Sequence, residues 1–244
     1  ASFEVHHGFG YSTFRHTSLG LEIEATVCVP TDAPVRLLDV RLRNTRSDVR
    51  HLALYQLATL VQGGTPHETR AHIEVEIDAA RGCVRSVNPS AGVFDGRVLF
   101  TAFAGVAVSD DSIDRRAVLG CLGLSAAPRA VVEGGPLERG KPGEAMAAQR
   151  ALLTLGAQEE RAVAMLLGEA ADLEQLDALL ARFNIAGVSS AIRATRATWR
   201  SRLTGTSIRT PDTALDQVVN GWLQYQTLVC RLYARSAYYQ SGGA

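Results

Sequence analysis

The sequence predicts a mainly β fold, an antiparallel sandwich with a helical part at its C-terminal end, on three observations. Apolar and polar residues alternate with a period of two through the first two-thirds of the chain, the pattern of half-buried strands. Clusters of turn-forming residues separate the alternating runs. From Asp172 onward the apolar spacing becomes that of amphipathic helices.

Taken in order, Ile23, Ala25, Val27 and Val29 form one strand face against Glu22, Glu24 and Thr26, and Leu38, Val40 and Leu42 oppose Asp39, Arg41 and Arg43. The pattern recurs at Leu52, Leu54, Gln56, Ala58 and Leu60, at Ile73, Val75 and Ile77, and at Val98, Phe100, Ala102 and Ala104. Turns are expected at Pro30-Thr-Asp-Ala-Pro34, Asn44-Thr-Arg-Ser-Asp48, Gly63-Gly-Thr-Pro66 and Asn88-Pro89. Strand following strand without an intervening helical pattern means antiparallel pairing. After a Gly/Pro-rich loop from Glu133 to Gly143, a last strand around Arg161 to Leu167 closes the sheets. Leu173, Leu176, Leu179, Leu180 and Phe183 then make one helical stripe, and Val188, Ile192, Thr195 and Trp199 another. A further helix is expected with Thr210 as N-cap, Pro211 at the first helical position and Asp212 near the positive dipole end. Its apolar stripe runs through Leu215, Val218, Val219, Trp222, Tyr225 and Val229. The expected division is a sandwich over residues 1–170, a helical linker over 171–205, and a first helix and loop over 206–244.

An apolar share of 46% in 244 residues is ample for a core. With 25 basic and 25 acidic residues there is no net field to hold nucleic acid, and neutral or weakly charged ligands fit better. No apolar run approaches the ~18 residues of a membrane helix, so no membrane contact is expected of this segment. Cys28, Cys83, Cys121 and Cys230 are widely spaced without a CxxC pair, and read as buried free thiols of a reducing compartment. The polar, glycine-bearing close of the sequence reads as the lining of a site completed elsewhere, which predicts a piece of a longer protein.

Three stretches carry a family resemblance: Thr210-Pro-Asp-Thr-Ala-Leu-Asp, Asn220-Gly-Trp-Leu-Gln-Tyr-Gln-Thr-Leu and Arg235-Ser-Ala-Tyr-Tyr-Gln-Ser-Gly-Gly-Ala. They resemble the start of the catalytic barrel in glycoside hydrolase family 94, formerly glycosyltransferase family 36. Gly8-Phe-Gly-Tyr-Ser-Thr-Phe-Arg-His, Glu22-Ile-Glu-Ala-Thr-Val-Cys-Val-Pro, Val40-Arg-Leu-Arg-Asn and Phe94-Asp-Gly-Arg-Val-Leu-Phe resemble strands of its N-terminal domain. The resemblance implies an antiparallel β-supersandwich of galactose mutarotase-like type, then linker helices and the opening of an α/α six-hairpin barrel. The implied chemistry is inverting phosphorolysis or glycosyl transfer on β-linked glucans. The Tyr-Gln-Ser-Gly-Gly-Ala wording most resembles the phosphorylase-like region of cyclic β-1,2-glucan synthases. Also implied are a β-glucan oligosaccharide as ligand, the rest of the catalytic barrel and a second copy as partners, no cofactor, inorganic phosphate as co-substrate of the full enzyme, and a cytoplasmic location beneath an inner-membrane-anchored parent.

The substrate-binding candidates are Tyr238, Tyr239, Gln240, Ser241, Gly242 and Gly243, because sugars present C–H faces to aromatic rings and hydroxyls to amides. Packing between helices is the alternative for the tyrosines. Asp114, Arg115 and Arg116, expected in a sandwich loop, are second candidates, with simple solvation as their alternative. Inverting cleavage needs a general acid. The pairs Glu22/Glu24 and Glu74/Glu76 alternate with apolar residues and read as solvated strand faces. In the family the acid lies in a downstream barrel motif, so no catalytic residue is expected in this chain. His6 and His7 point to opposite strand faces, and neither they with His16 nor His67 and His72 around Glu68 make a metal site. No Gly-x-Ser-x-Gly elbow occurs. A non-catalytic carbohydrate-binding or interaction module is the rival reading.

Overall fold

The computed structural model describes residues 2–63, 69, 71–121, 123, 126–140 and 146–233. Among these, eleven strands form two antiparallel sheets: β1 (Ser2–Gly8), β2 (Tyr11–Ser18), β3 (Leu21–Cys28), β4 (Val35–Asn44), β5 (Arg50–Thr59), β6 (Glu74–Asp78), β7 (Cys83–Val87), β8 (Val98–Ala104), β9 (Asp110–Ser112), β10 (Met146–Leu155) and β11 (Glu160–Ala170). The large sheet runs β1-β2-β3-β4-β11-β8-β7-β6 and the small one β5-β10-β9. Short helices α1 (Arg115–Leu119) and α2 (Arg129–Glu133) interrupt the strand series, against the expectation that none would intervene. Each is about one turn, too short for a 3.6-residue period to register in the sequence.

The centre of the large sheet is buried on both faces. In β4, Val35 and Leu37 join a core that includes Phe100, Leu166, Leu176, Phe183 and Val188, while Val40 and Leu42 join Leu153, Leu155 and Val163 on the opposite side. The second core is the space between the sheets. The first lies beneath α3 (Leu173–Arg182) and α4 (Ile185–Arg202), whose buried residues Leu176, Leu179, Val188, Ile192, Thr195 and Trp199 carry the two predicted stripes. These helices are therefore a lid on the sheet. Gly168 allows this: on its cross-strand neighbours Phe100 and Val35 a Cβ at Gly168 would intrude to 2.7 and 2.8 Å.

Two glutamines bracket the sheets. Gln56 and Gln149 are cross-strand neighbours of β5 and β10 and both are buried. The Gln56 amide donates to the Leu166 carbonyl (2.7 Å), and Gln149 donates to the Gly82 carbonyl and accepts from the Thr101 hydroxyl (3.1 Å each). Buried amides are retained where such partners exist.

Strand β3 departs from its expected facing. Thr26 and Cys28, on the Glu22 side, are buried, whereas Val27 is half-buried and Val29 is 54% exposed. The helical lid covers the Cys28 end of the face, and only the Glu22–Glu24 end stays wet. There Glu24 pairs with Arg15 (2.7 Å) and Glu22 with Arg43 (3.4 Å). Asp39 is likewise buried, where an exposed position was expected, and its Oδ1 has no hydrogen-bond partner.

Burial also sorts the thiols, but only half as expected: Cys28 and Cys83 are buried, Cys121 and Cys230 exposed. Burial pushes Cys83 up to about 12, with Asp78 adding to it. In the native protein a disulfide reagent should therefore titrate Cys121 and Cys230 promptly, and Cys28 and Cys83 only after denaturant is added. Four equivalents consumed at once under native conditions would contradict the burial.

A pH-dependent stability follows from Asp39. Burial raises its carboxyl above the usual value, and the exposed Arg41 guanidinium, 3.5 Å away, only partly opposes this. The folded chain thus holds the Asp39 proton more tightly than the unfolded one, so the group costs stability once pH exceeds the unfolded carboxylate value of about 3.9. Asp39→Asn should be at least as stable as the parent at pH 7, with its advantage shrinking as pH falls toward 4. Denaturation midpoints at the two pH values check this.

Candidate functional site: an aromatic seam and its cleft

The turn joining β1 to β2 carries Gly8, Phe9 and Gly10 and wedges between α4 and the C-terminal helix. That helix starts at α5 (Thr213–Gln217), turns through a π segment (Val218–Trp222), continues as α6 (Leu223–Leu228) and is described as far as a second π segment (Val229–Tyr233). Phe9 lies 5.2 Å from Trp222 and 5.3 Å from Tyr225, and Tyr225 stands edge-on to Trp199 at 4.8 Å. Such pairs contribute about 0.5–1.5 kcal/mol each beyond area burial. The Gly10 N–H donates to the Tyr225 hydroxyl at 3.1 Å.

Two glycines make the approach feasible. Gly10 sits at φ +78°, and a Cβ there would stand 2.2 Å from Trp199 Cδ1. A Cβ on Gly221 would stand 2.5 Å from Phe9 Cζ. Asn220 pins the preceding segment, accepting from the Ile208 N–H (2.7 Å) and donating to its carbonyl (2.8 Å), and Gln224 donates to the Thr206 carbonyl (2.9 Å). The Asn220-Gly-Trp-Leu-Gln-Tyr wording thus has a local physical account: loop clamp, close approach, aromatic contact.

The helix start differs from expectation. Asp212 is the N-cap, accepting from Ala214 and Leu215 N–H, and Thr210 and Pro211 precede the helix. Thr210 instead binds Asp216 Oδ1 through both its N–H and hydroxyl, each 2.9 Å. Nor is there one apolar stripe. The π turn places Trp222, Tyr225 and Val229 toward the sandwich, leaving Leu215 and Val218 about half exposed at 46% and 49%. The i→i+5 bond from Leu223 N–H to Val218 adds a residue to that turn, which puts the two halves out of phase.

Beside the seam opens a cleft of about 920 Å³, walled by Trp199, Trp222, Tyr225, Tyr11, His7 and Arg36. The Arg196 guanidinium lies over the Tyr11 ring at 3.8 Å, and His7 shares a hydrogen bond with Ser12 (2.9 Å). Beneath it, burial pushes the Cys28 thiol up, opposed by a hydrogen bond from Thr195 and by Arg196. Aromatic faces with a few polar groups at the rim suit ligands that are part apolar and part hydroxylated.

Tyr238, Tyr239, Gln240, Ser241, Gly242 and Gly243 lie outside the described residues, as do His67 and Glu68. Asp114, Arg115 and Arg116 open α1 instead of lying in a loop. Asp114 caps it through Arg116 and Ala117 N–H, and a Cβ on Gly140 would stand 2.2 Å from Asp114 Cβ. None of the three lines the aromatic cleft. Glu76 pairs with Arg85 at 2.6 Å and Glu74 is exposed. Among the described residues, no three His, Cys, Asp or Glu side chains converge to hold a metal ion. Phe9, Tyr11 and Trp199 were not expected at a site, and their only signals were the Gly8-Phe-Gly-Tyr run and a tryptophan at the end of a stripe.

A two-sheet antiparallel sandwich, capped by helices and fastened by an aromatic seam to a further helix, is the class of protein these features define. Family models give that class its family: residues 1–185 match the glycosyl hydrolase 94 supersandwich domain and residues 198–244 the glycosyl hydrolase 94 superfamily catalytic domain, so the chain belongs to that family. It is similar to the cyclic β-(1,2)-glucan synthase NdvB of Rhizobium meliloti (strain 1021), 35% identical over 246 residues that take in all of this chain and 9% of that protein. It is also similar to the N,N'-diacetylchitobiose phosphorylase of Vibrio proteolyticus, 24% identical across 97% of this chain and 30% of the phosphorylase. A solved structure of a candidate kojibiose phosphorylase from the human microbiome superposes with a TM-score of 0.49 at 8% identity, over 89% of this chain and 26% of that one. The chain thus spans less than a third of either curated relative.

Both tryptophans lie in the seam, which makes it measurable. Gly10→Ala should shift tryptophan emission and cost more than the 1–2 kcal/mol or so of left-handed strain alone, because the Cβ meets the Trp199 ring. Gly20→Ala is the control: φ is +74°, but its Cβ meets only the flexible Arg46 stem, so emission should not change. Equal losses and equal spectra in the two variants would mean that the seam is not packed as described.

Proposed function

We propose that this chain is the supersandwich, linker and opening of the catalytic barrel of an enzyme that acts on β-linked glucans by inverting phosphorolysis or glycosyl transfer, of the cyclic β-1,2-glucan synthase type. The observation that carries the reading is the similarity to one stretch of NdvB over the whole of this chain, through the seam as well as the sandwich. In this reading residues 1–170 form the sandwich, 171–205 the linker and 206–244 the first barrel helix and loop. The sandwich holds that helix at a set angle and forms one wall of the substrate cleft. Tyr238 and Tyr239 stack on sugar C–H faces, Gln240 and Ser241 hydrogen-bond hydroxyls, and Gly242 and Gly243 let the backbone approach the glucan. Asp114, Arg115 and Arg116 remain a secondary contact to the barrel. The general acid comes from outside this chain, which is inactive alone. Inorganic phosphate is the co-substrate where the enzyme phosphorolyses, and the working form is a cytoplasmic homodimer.

The test compares the 244-residue chain with a longer protein that continues into the catalytic domain. Given β-1,2-linked gluco-oligosaccharides and phosphate, the chain should release no sugar phosphate and rearrange no glucan, while the longer protein should do one or the other. In the longer protein Gln240→Ala should lower kcat/KM by about tenfold, equivalent to roughly 1.4 kcal/mol of lost hydrogen bonding. Turnover by the chain alone would overturn the reading. Tight glucan binding by the chain, with no turnover by the longer protein, would favour a non-catalytic binding module.

A further inference from the structure

A second cleft, of about 730 Å³, shares no lining residue with the first and opens where the small sheet stops at β9, with the β6–β7 turn forming part of its wall. Asp111 stands in it. Its cross-strand neighbour is Gln149, so its side chain shares the inward face of that glutamine, the one bound to Gly82 and Thr101. Asp111 Oδ1 is fully buried and accepts no hydrogen bond among the described residues: Arg139 Nε stands 3.4 Å away, an ion pair without hydrogen-bond geometry. Burial pushes this carboxyl up, with Arg139 opposing and Asp110 adding to the rise. A buried acceptor left open costs about 1–3 kcal/mol, a cost offset when the exposed Arg139 side chain swings aside and lets a donor reach the carboxylate.

The other charges at the cleft are engaged. Asp110 accepts from Arg150 Nε (2.8 Å) and Nη2 (2.7 Å), and Arg81 is held by Asp78 and Asp177. The open acceptor beside a guanidinium disfavours a cation, and the carboxylates disfavour an anion. Phe103, Val106 and Leu137 supply apolar wall, and Gly82 leaves open space where a Cβ would stand. An acceptor, a donor fork and an apolar wall within a cleft of this size suit a neutral, multiply hydroxylated ligand, as in small-molecule sites generally.

We propose that this inter-sheet mouth is an oligosaccharide-binding site, separate from the aromatic cleft, in which Asp111 and Arg139 hold adjacent sugar hydroxyls. It would anchor a glucan chain on the sandwich while another stretch of that chain is processed. The choice of a β-glucan rests on the proposed function; the site itself rests on the cleft.

The test is calorimetric titration of the 244-residue chain, and of its Ala107→Trp and Asp111→Asn variants, with β-1,2-linked gluco-oligosaccharides and with cello-oligosaccharides. Ala107 is an exposed residue at the rim, so its substitution plugs the mouth without removing a charge. Melting curves check the fold of each variant, and either variant suffices if the other is unfolded. The expected result is saturable binding by the parent chain, weakened at least tenfold in the variants. Binding of neither sugar series, or binding unchanged by both substitutions, overturns the site. Binding of cello-oligosaccharides alone, lost in the variants, supports the site and counts against the β-1,2 reading, so the two ideas fail separately.

Discussion

Everything in this molecule depends on a sheet that must be covered twice. β4 and β11 lie at the centre of the large sheet, and their residues are apolar on both faces: Leu37 and Leu166 turn one way, Leu42 and Val163 the other. At about 25 cal/mol per Å² of apolar surface, neither face can be left in water. The small sheet covers one, and α3 and α4 cover the other. A sandwich without the helices would expose a core, so the segment expected to act as a linker is part of what keeps the sheet folded. The family models divide near residues 185 and 198, whereas the apolar contacts run on through Trp199.

The two sheets are also held at a fixed offset by polar means. Hydrophobic contact between sheets is non-directional, but the amides of Gln56 and Gln149 reach fixed partners, Leu166 on β11, Thr101 on β8 and Gly82 in the β6–β7 turn. Sliding one sheet by a residue would strand both amides in the interior. Gln56 Oε1 already lacks a hydrogen bond among the described residues, so this bracket has little spare capacity.

How much of this was legible in the sequence varies by element, for physical reasons. β3, β4, β5 and β8 are found by alternation, which is clearest where apolar residues take turns with charged ones, as over Leu38–Arg43. β10 was missed: Met146-Ala-Ala-Gln-Arg-Ala-Leu-Leu-Thr-Leu is buried on both faces over its first six residues, which erases the period of two. β7 was missed as a five-residue strand, and α1 and α2 as single turns. The direction of each face was harder to read than its existence. Glu22 and Glu24 suggested a wet face for β3, yet four residues later the same face is under the lid. The seam was least legible, since Phe9 and Trp199 are apolar residues remote in sequence whose meeting no local pattern encodes. Only the glycines beside them, Gly8, Gly10 and Gly221, hinted at a close approach.

The π turn at Val218–Trp222 contains one anchor, Asn220, which clamps the preceding segment at Ile208, and leads into a second, Tyr225 on the sandwich. One residue of an α-helix corresponds to about 100° of rotation. The extra residue in this turn therefore acts as a gear tooth, setting the azimuth at which the chain beyond Tyr225 leaves the sandwich. Lengthening or shortening the turn by one residue would swing everything downstream by roughly a quarter-turn while leaving both sheets untouched. In a protein that continues into a second unit, the heading of that unit is encoded in the count of residues between an asparagine and a tyrosine.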